Sequence, residues 1–333
     1  MKSQLLLKAI ELQEAYFGGH ASGLGVVSGG RIMVEKDIGP VERVRMTTEI
    51  DGLDGSVGIA HSRFGYGFFD ARYNTKRMAH PFVDCSGSIC LMHNGNIANF
   101  KQHWSHLRER HPFSSYERDI DAITDSEVVA HMIEEQMDRG LGLGEALRRV
   151  APKLTGSFLL ACITVEEPEA VWIANWYQPC VIGVGRGEAM FCSSPIGFEG
   201  IREEFDCLFE PPKNALIKMT PSGVEISLLD HKRHAPNLRL DRSRLEAEIL
   251  EALKERSPID FRDLWYELYP LGWAEAYRVG PEEFERLREA GVSIVNPFIE
   301  ALDEMASRGL IKKWIAKRPE AGVESIPRYT YSL

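Results

Sequence analysis

Six apolar segments follow one another between residues 156 and 229, and they constrain the fold more than any other feature of this 333-residue sequence. They are short, rich in β-branched and aromatic residues, and separated by Gly, Pro or charged residues, which is typical of strands joined by tight turns. Because helical patterns also occur on the N-terminal side, we predict an α+β domain of layered sheets and helices that ends near residue 230. The segments are GSFLLACITV, AVWIANW, CVIGVGRG, AMFCSS, NALIKMT and GVEISLL.

The first 155 residues add further elements to this domain. Residues 23–39 contain a Ser-Gly-Gly turn between two apolar runs, which predicts a β-hairpin. Buried strands are predicted to begin at GIA and at ICLM, and each of them runs into polar residues. Apolar residues at helical spacing predict helices over 4–17, 97–111, 123–137 and 143–154.

A polar, proline-containing segment over 231–243 predicts a linker, so the expected organisation is 1–230, linker 231–243, and 244–333. Three helical patterns followed by a hairpin pattern predict a small winged-helix-like α/β domain at the C-terminal end. Its third helix carries Glu300, Asp303 and Glu304, whereas a DNA-reading helix favours Arg, Lys, Asn or Gln. We therefore expect a packing or protein-interaction module, with DNA binding as the alternative.

Composition narrows the possible partners. The net charge is −10, which gives no support to general nucleic-acid binding or to an anionic membrane partner. The apolar runs are too short to predict a transmembrane helix, and the N-terminal pattern is that of an amphipathic helix rather than a signal peptide. The six cysteines form no CxxC pair, which favours reduced, buried thiols in a cytoplasmic protein. No cofactor and no metal site are expected.

Candidate site residues lie where two predicted strands end and where one helix begins. In GIAHSRF, the fork of Arg63 could bind a carboxylate through two hydrogen bonds, and in ITDSEV, Asp125 could bind an ammonium group. In LMHNGN, the side chain of Asn94 and the backbone N–H of Gly95 could both donate to a developing oxyanion. Together they suit an amino acid whose side-chain carbonyl is attacked.

Each of these residues also has an ordinary structural interpretation. Asn94-Gly95 is a strong β-turn signal, Arg63 could form a surface ion pair, and Asp125 could cap a helix. The nearby histidines His61 and His80 could be structural side chains. From the residues alone, the two interpretations stay open.

Several motifs occur together and in order along the chain, and in sequence and spacing they resemble the class II glutamine amidotransferase domain. The resemblance extends over about residues 5–225. The motifs are GIAHSRF, AHPF, HNGNIANF, TDSEVVAHMI, LTGSFLLACIT and VIGVGRGEAMFCSS. Six collinear motifs are far more specific than any one of them.

The resemblance implies an N-terminal-nucleophile hydrolase fold, a four-layer αββα sandwich. It implies that an N-terminal Cys attacks the amide of glutamine, with the chain's own α-amino group as general base, and that ammonia passes to a second site, here on a partner protein. By motif match, Asn94 and Gly95 form the oxyanion hole, and Arg63 and Asp125 hold the carboxylate and ammonium of glutamine. His61, His80 and Phe64 occupy further glutamine-binding positions.

The sequence departs from the family at the nucleophile. Residue 1 is Met, the first Cys is Cys85, and the early-helix motif LLLKAI begins at Leu5, so the family's Cys-bearing strand has no counterpart. One interpretation is that this strand precedes the sequence, which predicts a glutaminase that supplies ammonia to a partner. The other is a natural loss of activity, which predicts a catalytically silent glutamine or amino-acid sensor with the C-terminal unit as its output.

Two further departures bear on the second interpretation. The family's Arg-Gly-Tyr-Asp-Ser segment corresponds to residues 17–21, where its Arg is replaced by Phe17. After His61-Ser-Arg, the residues Phe64 and Tyr66 stand where the family has glutamine-covering residues. A regulatory role through the winged-helix-like end is a third, weaker hypothesis.

Overall fold

The computed structural model describes residues 3–65, 70–234, 240–269, 271–289 and 295–333. The helices in these ranges are α1 (Ser3–Glu14), α2 (Val41–Thr47), α3 (Phe100–Leu107), α4 (Asp125–Met137), α5 (Leu143–Val150), α6 (Arg242–Glu255), α7 (Phe261–Glu267), α8 (Leu271–Ala276), α9 (Pro281–Glu289) and α10 (Val295–Ser307). The strands are β1 (Ala21–Ser28), β2 (Arg31–Ile38), β3 (Val57–Arg63), β4 (Phe82–Val83), β5 (Ile89–Ile97), β6 (Gly156–Thr164), β7 (Val171–Trp176), β8 (Val181–Gly185), β9 (Glu188–Cys192), β10 (Phe205–Phe209), β11 (Asn214–Thr220), β12 (Gly223–Leu228), β13 (Ile259–Asp260), β14 (Lys312–Glu320) and β15 (Val323–Ser332).

These strands form antiparallel sheets. The largest has the order β12-β11-β7-β6-β5-β4, and two three-stranded sheets have the orders β2-β1-β3 and β10-β8-β9. The predicted hairpin over 23–39 is present as β1 and β2, with Gly29 and Gly30 at positive φ in the turn. The predicted mixed fold of helices and antiparallel sheets is confirmed.

Three apolar clusters stack the elements in layers. Leu7 and Ile10 of α1 pack with Val41 and Val44 of α2 against the face of β1. A second cluster lies between the sheets, joining side chains of β1 and β3 to those of the six-stranded sheet. A third joins the other face of that sheet to α4 and α5. The order of layers is therefore helices, sheet, sheet, helices, and each sheet is buried between two apolar surfaces.

The HNGN stretch is not a turn, which corrects the structural interpretation given for it above. Strand β5 continues through it to Ile97, with Asn94 opposite Leu159 and Gly95 opposite Phe158 on β6. Gly95 has φ +129°, and a Cβ there would lie 2.1 Å from the carbonyl oxygen of Ser157. The glycine serves a close approach of two strands rather than a reversal of the chain.

The C-terminal unit has more elements than the sequence predicted. Its described part contains five helices, α6 to α10, and the sheet β13-β15-β14, whereas three helices and a hairpin were expected. Trp273 is fully buried and Tyr277 is buried. Their core extends to Tyr16, just after α1, so this unit packs directly on the N-terminal part of the chain. Within the described ranges, no helix is long and apolar enough to cross a membrane.

Candidate functional site

A cleft of about 720 Å³ opens between β3 and β9. Its walls include seven successive residues, 56–62, along β3 and eight successive residues, 187–194, along β9. Successive side chains of a strand point to opposite faces, so a wall made of every residue is the edge of a strand rather than its face. We call this space the β3–β9 cleft.

The described part of the chain pairs each of these two strands on one side only. Strand β3 pairs with β1, and β9 pairs with β8. The N–H and C=O groups on their other edges face the cleft, and such groups in a sheet interior ordinarily find a partner strand. Helix α1 lines the cleft on one side, and Met92 and Met219 of the six-stranded sheet line it on the other.

Four of the predicted site residues line this cleft: His61, Phe64, Asn94 and Gly95. His61 comes from the end of β3, and Asn94 and Gly95 come from the end of β5. The Asn94 side chain donates to Ser193 Oγ over 3.3 Å, just after β9. The polar residues therefore gather at one end of the β3–β9 cleft, the end at which both β3 and β9 finish.

The other predicted residues, Arg63, His80 and Asp125, do not line the β3–β9 cleft itself. Arg63 is close enough to Asp125 for their charges to interact, and His80 and Asp125 belong to a hydrogen-bonded cluster. Ser126 is its centre, since its Oγ lies 2.8 Å from His80 Nε2 and 3.1 Å from both His93 Nδ1 and Asp125 Oδ1. The ring of His61 lies 4.3 Å from that of His80, which connects the cluster to the cleft.

Asp125 is the first residue of α4, and its side chain does not cap the helix. Thr124 provides the cap by accepting from the backbone N–H of Glu127. Asp125 Oδ2 instead accepts from the N–H of Ile97 at the end of β5, over 3.0 Å. Burial raises the pKa of Asp125, but His93, this backbone N–H and the Ser126 hydroxyl outweigh burial, so its pKa lies below its usual value. The carboxylate is ionised and available to a cation.

Arg63 is buried, so it is not the surface ion pair that was the alternative interpretation. Its Nη1 donates to the carbonyl of Tyr73 over 3.2 Å. Burial lowers its pKa, and the charge of Asp125 acts in the opposite direction. Next to it, Gly65 lets the chain pass over the guanidinium, because a Cβ there would lie 2.5 Å from Arg63 Cζ.

The two predicted histidines are neutral at physiological pH. Burial, together with His93 and Arg63, lowers the pKa of His61 to about 3. Burial and the nearby His61 hold the pKa of His80 well below its usual value. The cation of Arg63 and the anion of Asp125 complement the two charges of an amino-acid zwitterion.

Comparisons with known proteins relate this chain to one family and to several of its members. The glutamine amidotransferase domain family matches residues 71–196, which include β5 and the start of α4. Glutamine–fructose-6-phosphate aminotransferase (isomerizing) of Pyrobaculum aerophilum is 35% identical over 185 residues, which cover 55% of this chain and 29% of that protein. The corresponding protein of Thermococcus kodakarensis is 33% identical over 194 residues, covering 58% and 30%.

This chain carries a class II glutamine amidotransferase domain. The chain spans about 30% of the length of these relatives. A glutamine phosphoribosylpyrophosphate amidotransferase from B. subtilis, complexed with ADP and GMP, superposes with a TM-score of 0.58 at 16% identity, covering 83% of this chain and 62% of that one. At that identity the likeness shows the fold alone.

The amidotransferase domain receives part of its site from the C-terminal unit, which the sequence did not reveal. Asn296 of α10 lines the β3–β9 cleft and donates to the carbonyl of Ser193 over 2.9 Å. His20 connects strand β14 to the segment that follows Arg63. Its Nε2 lies 2.9 Å from Glu320 at the end of β14, and its Nδ1 accepts from the N–H of Gly65. Because Nδ1 is an acceptor, Nε2 carries the proton and donates to the carboxylate.

A buried arginine also reaches the segment where the family's Arg is replaced by Phe17. Arg328 of β15 donates from Nη1 to the carbonyl of Glu14 over 3.0 Å and from Nη2 to that of Gly18 over 2.9 Å. Its guanidinium carbon lies 5.7 Å from the ring of Phe64. The site is thus closed on this side by residues more than 250 positions away in sequence. Tyr66, the other predicted covering residue, lies outside the described residues.

Cysteines near the site do not replace the family's nucleophile. Cys192 lines the β3–β9 cleft, but burial raises its pKa well above the usual value, so its thiol stays protonated. The prediction of buried thiols holds for Cys90, Cys162, Cys180 and Cys192, whereas Cys85 and Cys207 are exposed.

Proposed function

We propose that this protein binds glutamine and hydrolyses it to glutamate and ammonia, with a nucleophilic Cys carried by an extended segment in the β3–β9 cleft. The single observation that supports this most strongly is the cleft itself, which ends at Asn94 and Gly95 and is bounded by two strand edges that have no partner strand among the described residues. A strand placed there would join the two three-stranded sheets into one. Its backbone would also form hydrogen bonds with the N–H and C=O groups on the edges of β3 and β9 that face the cleft.

The direction of such a strand follows from its surroundings. Near the beginning of β3, the Ser3 hydroxyl at the start of α1 donates to the carbonyl of Leu53. A segment that leads into α1 would therefore leave the cleft at this end. Running antiparallel to the seven residues of β3, about 20 Å, it would place its first residues at the polar end, beside His61 and Asn94.

The cluster beside the cleft would orient the substrate. In this proposal the fork of Arg63 binds the α-carboxylate of glutamine, and Asp125 binds its α-ammonium. The thiolate attacks the side-chain amide carbon, and the oxyanion accepts from the Asn94 side chain and the Gly95 N–H. Collapse of this intermediate breaks the C–N bond, and the proton that the α-amino group took from the thiol passes to the leaving nitrogen, so ammonia is released and a thioester remains. Water then hydrolyses the thioester to glutamate and the free thiol. These steps are the basis on which we propose glutaminase activity, a hydrolase reaction, for this domain.

The experiment is to express the chain from the in-frame codons upstream and to measure ammonia and glutamate release. We expect hydrolysis of glutamine when an N-terminal Cys is present, and its loss when that Cys is replaced by Ser. An upstream segment without a Cys, or a Cys-bearing chain that releases no ammonia, would contradict the proposal. In this proposal the ammonia passes to a separate partner protein.

A second candidate function, a catalytically silent glutamine sensor, is favoured by the link between Glu320, His20 and Gly65. Through it, the C-terminal hairpin contacts the segment next to the proposed carboxylate-binding Arg63. Calorimetry separates the two functions. A sensor binds glutamine without releasing ammonia, and Arg63→Lys weakens that binding at least about tenfold, because the two-pronged charged contact is lost. The exposed Arg118→Lys is the matched control.

For the C-terminal unit we propose a packing and protein-interaction role rather than DNA reading. Its order of helices before a hairpin is that expected of a winged helix, but α10, the would-be recognition helix, faces the amidotransferase domain. Asp303 accepts from Tyr16 Oη over 3.1 Å and from Lys313 over 2.6 Å. Lys317 pairs with Glu42. Because α10 packs on the rest of the chain and these two lysines pair with carboxylates, they do not present a free surface for a DNA groove. We expect the protein to act in the cytoplasm.

A further inference from the structure

Four potential metal-binding side chains converge at the end of the six-stranded sheet, away from the hydrogen-bonded cluster around Ser126. Cys85 lies in the segment between β4 and β5, His111 follows α3, and His131 and Glu134 lie on α4. One ligand atom from each lies within 4.8 Å of all the others. His131 and Glu134 are three residues apart, so they share one face of the helix.

The separations between the ligand atoms fit a tetrahedral metal ion. Cys85 Sγ lies 3.3 Å from His111 Nδ1 and 3.7 Å from His131 Nδ1. Glu134 Oε2 lies 3.2 Å from His111 Nδ1 and 2.7 Å from His131 Nδ1. Zinc bonds of about 2.0–2.3 Å at tetrahedral angles separate neighbouring ligand atoms by roughly 3.3–3.7 Å. Three of the four distances are close to this range, and the fourth requires only a small opening.

Three of the four side chains are mostly buried, and neighbouring groups contact the proposed ligands, as is usual in metal sites. The side chains of His131 and Glu134 are almost fully buried, and that of His111 is 9% exposed. The other ring nitrogen of His111, Nε2, lies 3.6 Å from a carboxylate oxygen of Glu135, so a carboxylate stands next to the imidazole on the side away from the proposed ion. The second oxygen of Glu134 accepts from the N–H of Cys85, which fixes the carboxylate.

We propose that Cys85, His111, His131 and Glu134 bind a late first-row divalent cation, with Zn²⁺ as the best match. A mixed set of one thiolate, two imidazoles and one carboxylate suits Zn²⁺ rather than Mg²⁺ or Ca²⁺, which take oxygen ligands. Four protein ligands leave no open coordination position, so the role is structural. The ion joins the β4–β5 segment, the chain after α3, and α4. It thereby fixes the two elements that carry the oxyanion donors and Asp125 at their opposite ends.

The test uses the full chain, stripped with a chelator and then titrated with Zn²⁺ or Co²⁺. We expect one ion per chain, a higher unfolding temperature with Zn²⁺, and, with Co²⁺, the intense visible bands of a tetrahedral site together with a thiolate-to-cobalt charge-transfer band. Cys85→Ser should abolish the charge-transfer band and weaken Zn²⁺ binding at least about tenfold. Cys207→Ser, the other exposed cysteine, should leave both unchanged.

A second variant separates metal binding from folding. His111→Asn alters the least buried histidine of the cluster, so the apo form should fold as the unaltered chain does while its Zn²⁺ affinity falls. If Co²⁺ gives no charge-transfer band, or if Cys85→Ser and Cys207→Ser bind Zn²⁺ equally, the cluster is a hydrogen-bonded network and the proposal is wrong. None of these readouts depends on glutamine hydrolysis.

Discussion

The buried carboxyl group of Glu14 makes the stability of this protein depend on pH in an unusual direction. Glu14 is the last residue of α1 and is 3% exposed. Its Oε2 accepts from the backbone N–H of Val41 over 3.1 Å and from the hydroxyl of Ser62 over 3.2 Å. Burial is the largest influence and, despite these hydrogen bonds, raises the pKa of Glu14 from 4.5 to about 8. The folded protein therefore holds Glu14 protonated at neutral pH.

The sign and size of the effect follow from linkage. A carboxyl group with a raised pKa in the folded state binds its proton more tightly there, so stability falls as pH rises from the unfolded pKa toward the folded one. With pKa values of 4.5 and about 8, the free energy of unfolding should fall by about 3.5 kcal/mol between pH 5 and pH 8 from this group alone. Glu14→Gln keeps the accepting oxygen and removes the ionisation. The variant should therefore gain stability relative to the unaltered chain as pH rises.

Urea unfolding at pH 5, 6.5 and 8 measures this difference. We expect the two chains to unfold at similar urea concentrations at pH 5, and Glu14→Gln to require more urea at pH 8. The exposed Glu225→Gln on β12 is the control, and it should change stability little at any of these pH values. If the difference between Glu14→Gln and the unaltered chain is the same at pH 5 and pH 8, Glu14 does not titrate as argued.

Two further substitutions test the site and its contact with the C-terminal unit. Gly95→Ala places a Cβ 2.1 Å from the carbonyl of Ser157 at a positive φ, so it should cost about 3 kcal/mol or more, whereas Gly52→Ala, with nothing within 4 Å of its Cβ, should cost little; urea unfolding compares them. Glu320→Gln leaves the buried guanidinium of Arg328 without its anion and should cost about 3–5 kcal/mol in thermal or urea unfolding. Burial raises the pKa of Glu320, but His20 and Arg328 outweigh burial and lower it below its usual value. The stabilising contribution of Glu320 is therefore complete above its unfolded pKa near 4.5 and should be lost as pH falls through the folded pKa. A Glu320→Gln chain as stable as the unaltered one at pH 7 would contradict the importance of this contact.

Sequence patterns predicted the local elements of the amidotransferase domain well. The hairpin, the six strands predicted between residues 156 and 229 and the helix from Asp125 follow from apolar periodicity, turn residues and the Thr124 cap, all of which act over a few residues. Strand β10 was not predicted. The HNGN stretch shows where such signals fail. Asn-Gly is a strong turn signal, but here β5 pairs with β6 through both residues, and long-range pairing overrides the local preference.

The rest of the site depends on contacts between distant residues. Neither the closure of the site by Arg328 nor the approach of Asn296 to Ser193 has a local pattern that would reveal it. The group of Cys85, His111, His131 and Glu134 was missed for the same reason, since only the His131–Glu134 spacing is local. The β3–β9 cleft likewise becomes visible only when both strand edges are placed side by side.

We propose that the β3–β9 cleft holds a Cys-bearing strand next to Asn94 and Gly95, the proposed oxyanion donors. The most direct measurement exposes the chain with its upstream segment to a glutamine analogue that carries an electrophilic carbon at the amide position, and locates the added mass by peptide mass spectrometry. We expect one adduct per chain, on the N-terminal Cys, with protection by glutamine and a strong loss of labelling in Arg63→Lys. An adduct on Cys85 or Cys192 instead, or labelling that glutamine does not slow, would contradict it.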